Sequence, residues 1–312
     1  MSNAKNKKNI FYNDFKPDFL TLIKEFPELK KYILKQNEDN EEEFQFDWSN
    51  NELSLLMDKS ILNYYFDIKY YDIPKGFLIP PIPSRINYIN LINSIITKLI
   101  KDIDIKNIIG IDIGTGANII YPILGYSIYK WKFICTEINK EAFNNAKLIL
   151  QKNNLENNIN IIKQNNKDNI FISILNRENK YIFSMCNPPY YNYENEIKLE
   201  DKKRDNEYNF DEIYYKNGEY GFFQRYFEES ICYKNNVFLY TILIGKKINA
   251  ENIYDKLSSY NDIIKIYNMQ KILTGNNVRY IIYWSFFNNY KDFNNIKLYS
   301  NKYNKFRPII KY

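Results

Sequence analysis

Apolar residues at Phe19, Leu22, Ile23, Phe26, Leu29, Tyr32 and Ile33 recur at helical spacing in "PDFLTLIKEFPELKKYILKQ". The spacing predicts helix over 17–36, broken or restarted at Pro27. The next period, "SNNELSLLMDKSILNYYF", opens on Ser49 with Glu52 three residues on, a capping-box pattern. Four prolines from Pro74 to Pro83 then make an irregular approach to an apolar helix beginning at about Ser84. Together these predict an N-terminal helical module over 1–83, packed on the remainder of the chain.

Beyond residue 106 the pattern alternates. "NIIGIDIG" reads as a buried strand, "ANIIYPILGYSIYK" as helix and turn, "WKFICTE" as strand and "NKEAFNNAKLILQKNN" as helix. "INIIKQ" is a strand, "DNIFISILN" a short helix and "YIFSMCN" a strand. This rhythm predicts a parallel, doubly wound α/β sheet. Residues 192–217 are polar without a period and read as a mobile loop. Helix, strand and helix come next in "EYGFFQRYFEESICYK", "NVFLYTILIG" and "KKINAENIYDKLSSY". Two last strands, "IIKIYNMQ" and "RYIIYWSFF", are joined through "TGNN".

Composition narrows the chemistry. The 312 residues contain no histidine, which removes Ser-His-Asp triads, histidine metal ligands and histidine bases. Cys135, Cys186 and Cys232 are far apart and odd in number, so neither a zinc site nor a disulfide framework is expected. Reduced thiols and the lack of an apolar leader point to an intracellular protein, nuclear or cytoplasmic. No apolar run reaches the ~18 residues that span a bilayer, so no membrane partner is expected. The net charge of +6 suits a polyanionic partner, with basic residues and aromatics interleaved at both ends. The acidic run Glu38–Glu43 reads as solvated surface.

In "IIGIDIGTGANI" a strand ends near Asp112, and Gly114-Thr115-Gly116 turns into a helix. Glycines there admit a ligand close to the backbone. A dinucleotide fingerprint would place a third glycine where Ile119 stands, which counts against a pyrophosphate ligand. Asp112 suits a cationic head instead, such as the amino group of S-adenosylmethionine. Glu137 ends the next strand, 21 residues after Gly116, where an acid can accept both ribose hydroxyls. Asp168 or Asn166, after the third strand, can receive an adenine amino group. The fourth strand delivers Asn187-Pro188-Pro189-Tyr190.

The Asn187 side-chain oxygen and the Pro188 carbonyl can accept both hydrogens of an exocyclic amine. That draws the nitrogen lone pair out of its ring and aims it at a methyl donor, with no general base needed. The pair Pro188-Pro189 stops the strand. Tyr190 offers a stacking face worth ~1–3 kcal/mol per base.

The segments "PSRINYINLI", "GIDIGTGANIIYPILG", "ICTEINKEAFNNAK", "MCNPPYY" and "VRYIIYWSFF" resemble the RNA N6-adenosine methyltransferases that modify U6 small nuclear RNA. Bacterial relatives of that family modify an adenine of large-subunit ribosomal RNA. The resemblance runs over roughly residues 10–290. It implies a class I methyltransferase fold: a mostly parallel seven-stranded sheet with an antiparallel strand, plus the N-terminal module. It also implies a cofactor set of Arg85, Gly114, Glu137, Asp168 and Asn187, beside Asp112 and Gly116 from the glycine turn. Members of that family usually have a hydroxyl residue at the position of Asp168 and Phe at that of Tyr190.

The expected organisation is an RNA-binding module over 1–83, a catalytic domain over 84–290 and a basic tail over 291–312. Expected RNA contacts are Lys5, Lys7, Lys8 and Lys16, Lys203 and Arg204 in the loop, and Lys246, Lys247 and Arg279. The expected activity is S-adenosylmethionine-dependent methylation of adenosine N6 in a structured, U6-like RNA, without a metal or an obligate protein partner. Two rival readings share the same motif: methylation of a protein glutamine amide, and a catalytically dead fold that only binds RNA.

Overall fold

Pro27 settles the first stretch. The computed structural model describes residues 15–36, 44–101, 108–172, 174–192, 210–274 and 277–298. Helix α1 (Phe19–Glu25) starts at Asp18, whose carboxylate accepts the Thr21 N–H at 3.0 Å. Proline has no N–H with which to continue the ladder. The chain therefore passes through a 3-10 turn, Pro27–Tyr32, into strand β1 (Ile33–Gln36), antiparallel to β2 (Phe44–Phe46). The helix expected over 17–36 is three elements.

Helix α2 (Asn51–Phe66) is capped by Asn50, which accepts the Leu53 N–H at 3.1 Å. Ser49 bonds Asp47 instead, so the cap falls one residue later than the capping box predicts. Helix α3 (Ile82–Leu99) begins with Pro83 in its first turn, where an amide donor is not needed.

The alternating region folds as β3 (Ile109–Ile113), α4 (Ile120–Tyr129), β4 (Lys132–Glu137), α5 (Lys140–Lys152), β5 (Ile159–Lys163) and β6 (Tyr181–Cys186). After these come α6 (Phe210–Ile213), α7 (Gly218–Cys232), β7 (Val237–Ile244) and α8 (Lys247–Ser258). A hairpin of β8 (Ile266–Thr274) and β9 (Asn277–Ser285) precedes α9 (Tyr290–Asn295).

The seven strands form one sheet in the order β5-β4-β3-β6-β7-β9-β8. Strands β3 to β7 run parallel, and β9 is antiparallel to both its neighbours. The order reverses at β3, between β4 and β6, so a crevice opens at the carboxyl ends of these strands. The expected sheet, including its single antiparallel strand, is the one observed.

Each face of the sheet has its own core. Leu53, Met57 and Ile61 of α2 share one buried cluster with Ile86 and Ile89 of α3, Ile123 of α4 and Phe133 of β4. The N-terminal elements thus pack on the α3–α5 face. Phe223 and Phe227 of α7 and Ile253 of α8 cover the other face, against Tyr240 and Trp284. Burying one such side chain is worth about 1.5–3 kcal/mol.

The short helix expected over 168–176 does not form among the described residues there, which make turns. Its amides have another partner. The backbone N–H groups of Ile170, Phe171 and Ile172 donate to the Glu229 carboxylate of α7, at 2.7 to 3.1 Å.

Candidate active site

The glycine turn lies directly after β3. Gly114 and Gly116 have φ of +67° and +70°, a region open to glycine at little cost. No heavy atom lies within 4 Å of where a Cβ on Gly114 would sit, so its backbone faces open space. The turn is tied to β4 by the Thr115 N–H, which donates to the Thr136 carbonyl at 2.9 Å. Asp112 accepts the Thr115 hydroxyl at 2.7 Å and is 1% exposed. Burial pushes its carboxyl up to about 7, against the Thr115 bond. Asp112 is absent from the cavity wall, contrary to expectation, because this bond holds it behind the turn.

At the end of β4, Glu137 accepts the Gly116 N–H at 2.8 Å and the Asn139 N–H at 2.7 Å, one on each oxygen. Each oxygen keeps capacity for a further donor. Burial raises its pKa, and the backbone N–H groups of Asn139 and Gly116 oppose the rise.

After β5, Gln164 shapes the next loop, accepting the Asn166 N–H at 3.0 Å and donating to the Asn169 carbonyl at 3.0 Å. Arg225 Nε donates to the Asp168 carbonyl at 2.6 Å, and the same guanidinium pairs with Glu229. Asp168 reaches the cavity wall; its alternative, Asn166, does not.

Strand β6 ends at Cys186, and Asn187 to Tyr190 continue along the cavity. The Tyr190 hydroxyl donates to Asn187 Oδ1 at 2.6 Å. Gly245 sits against this tyrosine: a Cβ there would meet the Tyr190 ring and Glu219 Oε1, each at 3.0 Å. Glu219 is fully buried and accepts the N–H groups of Gly245 and Lys246 and the Asn249 side-chain amide. It fixes the backbone that supports Tyr190. On sequence Glu219 is one acid among many, with no local signal.

Arg85, in the first turns of α3, lines the same cavity and donates to the Tyr121 hydroxyl at 3.1 Å. Tyr121 belongs to the "IYP" just beyond the glycine turn. Glu212 also lines the cavity, although its stretch reads as mobile loop. Its Oε2 accepts the Leu78 N–H at 3.0 Å. Burial pushes its carboxyl up to about 7, and nearby Glu137 adds to the rise. The one available signal was an acid set among Phe210, Ile213 and Tyr214 in an otherwise polar run.

Arg85, Gly114, Gly116, Glu137, Asp168 and Asn187 to Tyr190 therefore share one cavity of about 890 Å³. The expected RNA-binding cations are more scattered. Arg279 lies over the Tyr190 ring, 5.5 Å from its centroid, and Lys246 lies 6.0 Å from that of Tyr191. Lys247 pairs with Glu251 at 3.3 Å, and Lys16 is exposed. Lys5, Lys7, Lys8, Lys203 and Arg204 lie outside the described residues, as does the Glu38–Glu43 run. Among the described residues, no group of acids and cysteines could hold a metal, and no helix is long and apolar enough to cross a membrane.

A family model described as RNA methyltransferase matches residues 4–288. The ribosomal RNA large subunit methyltransferase F of Flavobacterium johnsoniae is 35% identical over 292 residues, covering 87% of this chain and 90% of that protein. The U6 small nuclear RNA (adenine-(43)-N(6))-methyltransferase of Schizosaccharomyces pombe is 33% identical, covering 78% of this chain and 62% of that protein. Among solved structures, the human METTL16 catalytic domain in complex with the MAT2A 3'UTR hairpin 1 superposes with a TM-score of 0.76 at 29% identity, covering 90% of this chain and 95% of that one. The N-terminal domain of human METTL16 in complex with SAH gives a TM-score of 0.72 at 28% identity, covering 90% of this chain and 98% of that one. The glycine turn, the acid-tipped strand and the Asn-Pro-Pro-Tyr motif thus stand in a chain that belongs to the RNA methyltransferase family.

Proposed function

We propose that this chain uses S-adenosylmethionine to methylate N6 of an adenosine in a structured RNA of the U6 or large-subunit ribosomal kind. The observation that carries the reading is the meeting of Asn187 and Tyr190 with the glycine turn, Glu137 and Asp168 around one cavity. The relatives named for U6 and ribosomal RNA supply the substrate class.

The residues present fit the cofactor. Gly114 leaves an open cradle where any side chain would intrude. Glu137 retains acceptor capacity for two ribose hydroxyls, and Asp168 stands along the wall for an adenine amine. Arg85 offers a cation for a carboxylate. When bound, S-adenosylmethionine supplies an electrophilic methyl group.

The chain's own work is positioning. Asn187 Oδ1 and the Pro188 carbonyl accept hydrogen bonds from the amine's two N–H groups, and Pro189 keeps the backbone rigid behind them. The nitrogen sheds one proton to water once it has gained the methyl group. The Tyr190 hydroxyl holds the Asn187 carboxamide oxygen in place; an amide oxygen has a second lone pair for the target amine. The Tyr190 ring stacks on the base. The base must leave its stack first, at a few kcal/mol, least in single-stranded or bulged RNA.

The N-terminal module over 1–83, the tail over 291–312 and the cations Lys5, Lys7, Lys8, Lys16, Lys203, Arg204, Lys246 and Lys247 form the RNA groove in this reading. Arg279 braces Tyr190 at its edge. An enzyme acting on such RNA works inside the cell, in nucleus or cytoplasm. The test is incubation with labelled S-adenosylmethionine and either a U6-type hairpin or a large-subunit RNA fragment, and then nucleoside analysis. N6-methyladenosine is expected. Label in protein glutamine, or in no acceptor, would overturn the reading.

A further inference from the structure

The glycine turn was expected to present Asp112 to a cationic head, and Asp112 is turned away behind Thr115. Another carboxylate stands on the cavity side of that turn. Glu212 Oε1 lies 3.3 Å from where a Cβ on Gly116 would be. Its other oxygen is held by the Leu78 N–H, in the segment that leads into α3. Among the described residues, no lysine or arginine forms an ion pair with Glu212. Arg85 is near enough to pull on it electrostatically while donating to Tyr121.

The cavity wall therefore carries both signs of charge. Glu137, at the tip of β4, marks the ribose end. Arg85 and Glu212 offer one positive and one negative group on the wall beside the glycine turn, with Glu212 against Gly116 and within electrostatic reach of both Glu137 and Arg85. A zwitterionic amino-acid head is the chemistry that answers both: carboxylate to Arg85, ammonium to Glu212. A nucleoside without that head leaves Glu212 near Glu137 with only Arg85 and the Leu78 N–H to offset their repulsion, in a site that already disfavours its charge.

We propose that Glu212 receives the α-ammonium group of S-adenosylmethionine and is the residue by which the cavity selects a nucleoside bearing an amino-acid head. The assignment rests on the cofactor reading above. It also gives the Leu78 contact a role, because one carboxylate then joins the bound head to the segment between α2 and α3.

The test is a cycle of two proteins and two ligands, read by calorimetry. The proteins are wild type and Glu212→Gln, whose amide oxygen can still accept from Leu78. The ligands are S-adenosylhomocysteine and its analogue lacking the α-amino group. Wild type should bind the desamino analogue about tenfold or more weakly, as expected for a charge-assisted bond. In Glu212→Gln that preference should collapse to about twofold or less. An undiminished preference in the variant overturns the assignment, as does equal binding of both ligands by wild type. The wild-type comparison stands even if the variant does not fold. Failure of wild type to bind S-adenosylhomocysteine at all overturns the cofactor reading, and this assignment with it.

Discussion

The Tyr190 hydroxyl donates to Asn187 Oδ1 across 2.6 Å, so the stacking residue also holds the carboxamide in the proposed mechanism. The two roles separate by substitution. Tyr190→Phe keeps the ring and loses the bond, and should lower turnover about 2- to 10-fold, the worth of one neutral hydrogen bond. Tyr190→Ala loses the stack as well and should cost a further ~5- to 150-fold, from ~1–3 kcal/mol of stacking. Steady-state kinetics on one RNA checks both. Equal losses in the two variants would mean that the ring does no stacking.

Gly245 gives Tyr190 its seat. Gly245→Ala places a methyl 3.0 Å from both the Tyr190 ring and Glu219 Oε1. Relief requires the tyrosine or the buried carboxylate to move. The expected stability cost is about 1–3 kcal/mol by denaturant melt, with a larger loss of turnover than of cofactor affinity. Unchanged turnover would show that Tyr190 does not depend on this seat.

Glu229 organises the Asp168 loop from α7. Glu229→Ala leaves the amides of Ile170, Phe171 and Ile172 without their acceptor. The predicted loss is about 3 kcal/mol or more of stability, together with weaker binding of the cofactor's adenine end. Denaturant melts and calorimetry measure the two effects. A neutral melt would show that the loop finds other acceptors.

Asp112 predicts a pH effect on stability. Its folded pKa of about 7 stands above the ordinary value of 3.8. Across that window the folded protein holds a proton that the unfolded chain has released. The stabilising contribution is therefore full below about pH 4 and is lost as pH rises through about 7. Asp112→Asn removes the titration. The variant's melting midpoint minus that of wild type should grow from pH 5 to pH 7.5, then level off. A difference that stays constant would contradict the raised pKa.

Much of this site is local in the chain, and so is legible in sequence. A buried parallel strand reads as a short apolar run, and β3, β4 and β6 do. Gly114, Glu137 and Asn187 stand directly after or at the ends of such runs, so topology alone carries them to one crevice. Asp112 misled because sequence gives its place beside the turn but not the direction of its carboxylate, which Thr115 decides.

Glu219 and Glu229 were illegible, and Glu212 had only its apolar neighbours as a signal, for a different reason: their partners are far away along the chain. Glu212 meets Leu78 at a separation of 134 residues, and Glu229 meets Ile170 at 59. The expected helix at 168–176 failed through the same long-range contact, which took its amides. Pro27 was legible as a break, but nothing local announced that Ile33–Gln36 would find a partner in Phe44–Phe46.

The central claim is that Asn187 accepts the target amine and so directs methyl transfer to adenosine N6. Single-turnover transfer from labelled S-adenosylmethionine to a U6-type hairpin, by wild type and Asn187→Ala, tests it most directly, with cofactor affinity and melting midpoint recorded for each. Wild type should yield N6-methyladenosine, and the variant should lose about 100-fold or more, with fold retained and cofactor still bound. Transfer by Asn187→Ala at the wild-type rate would contradict it.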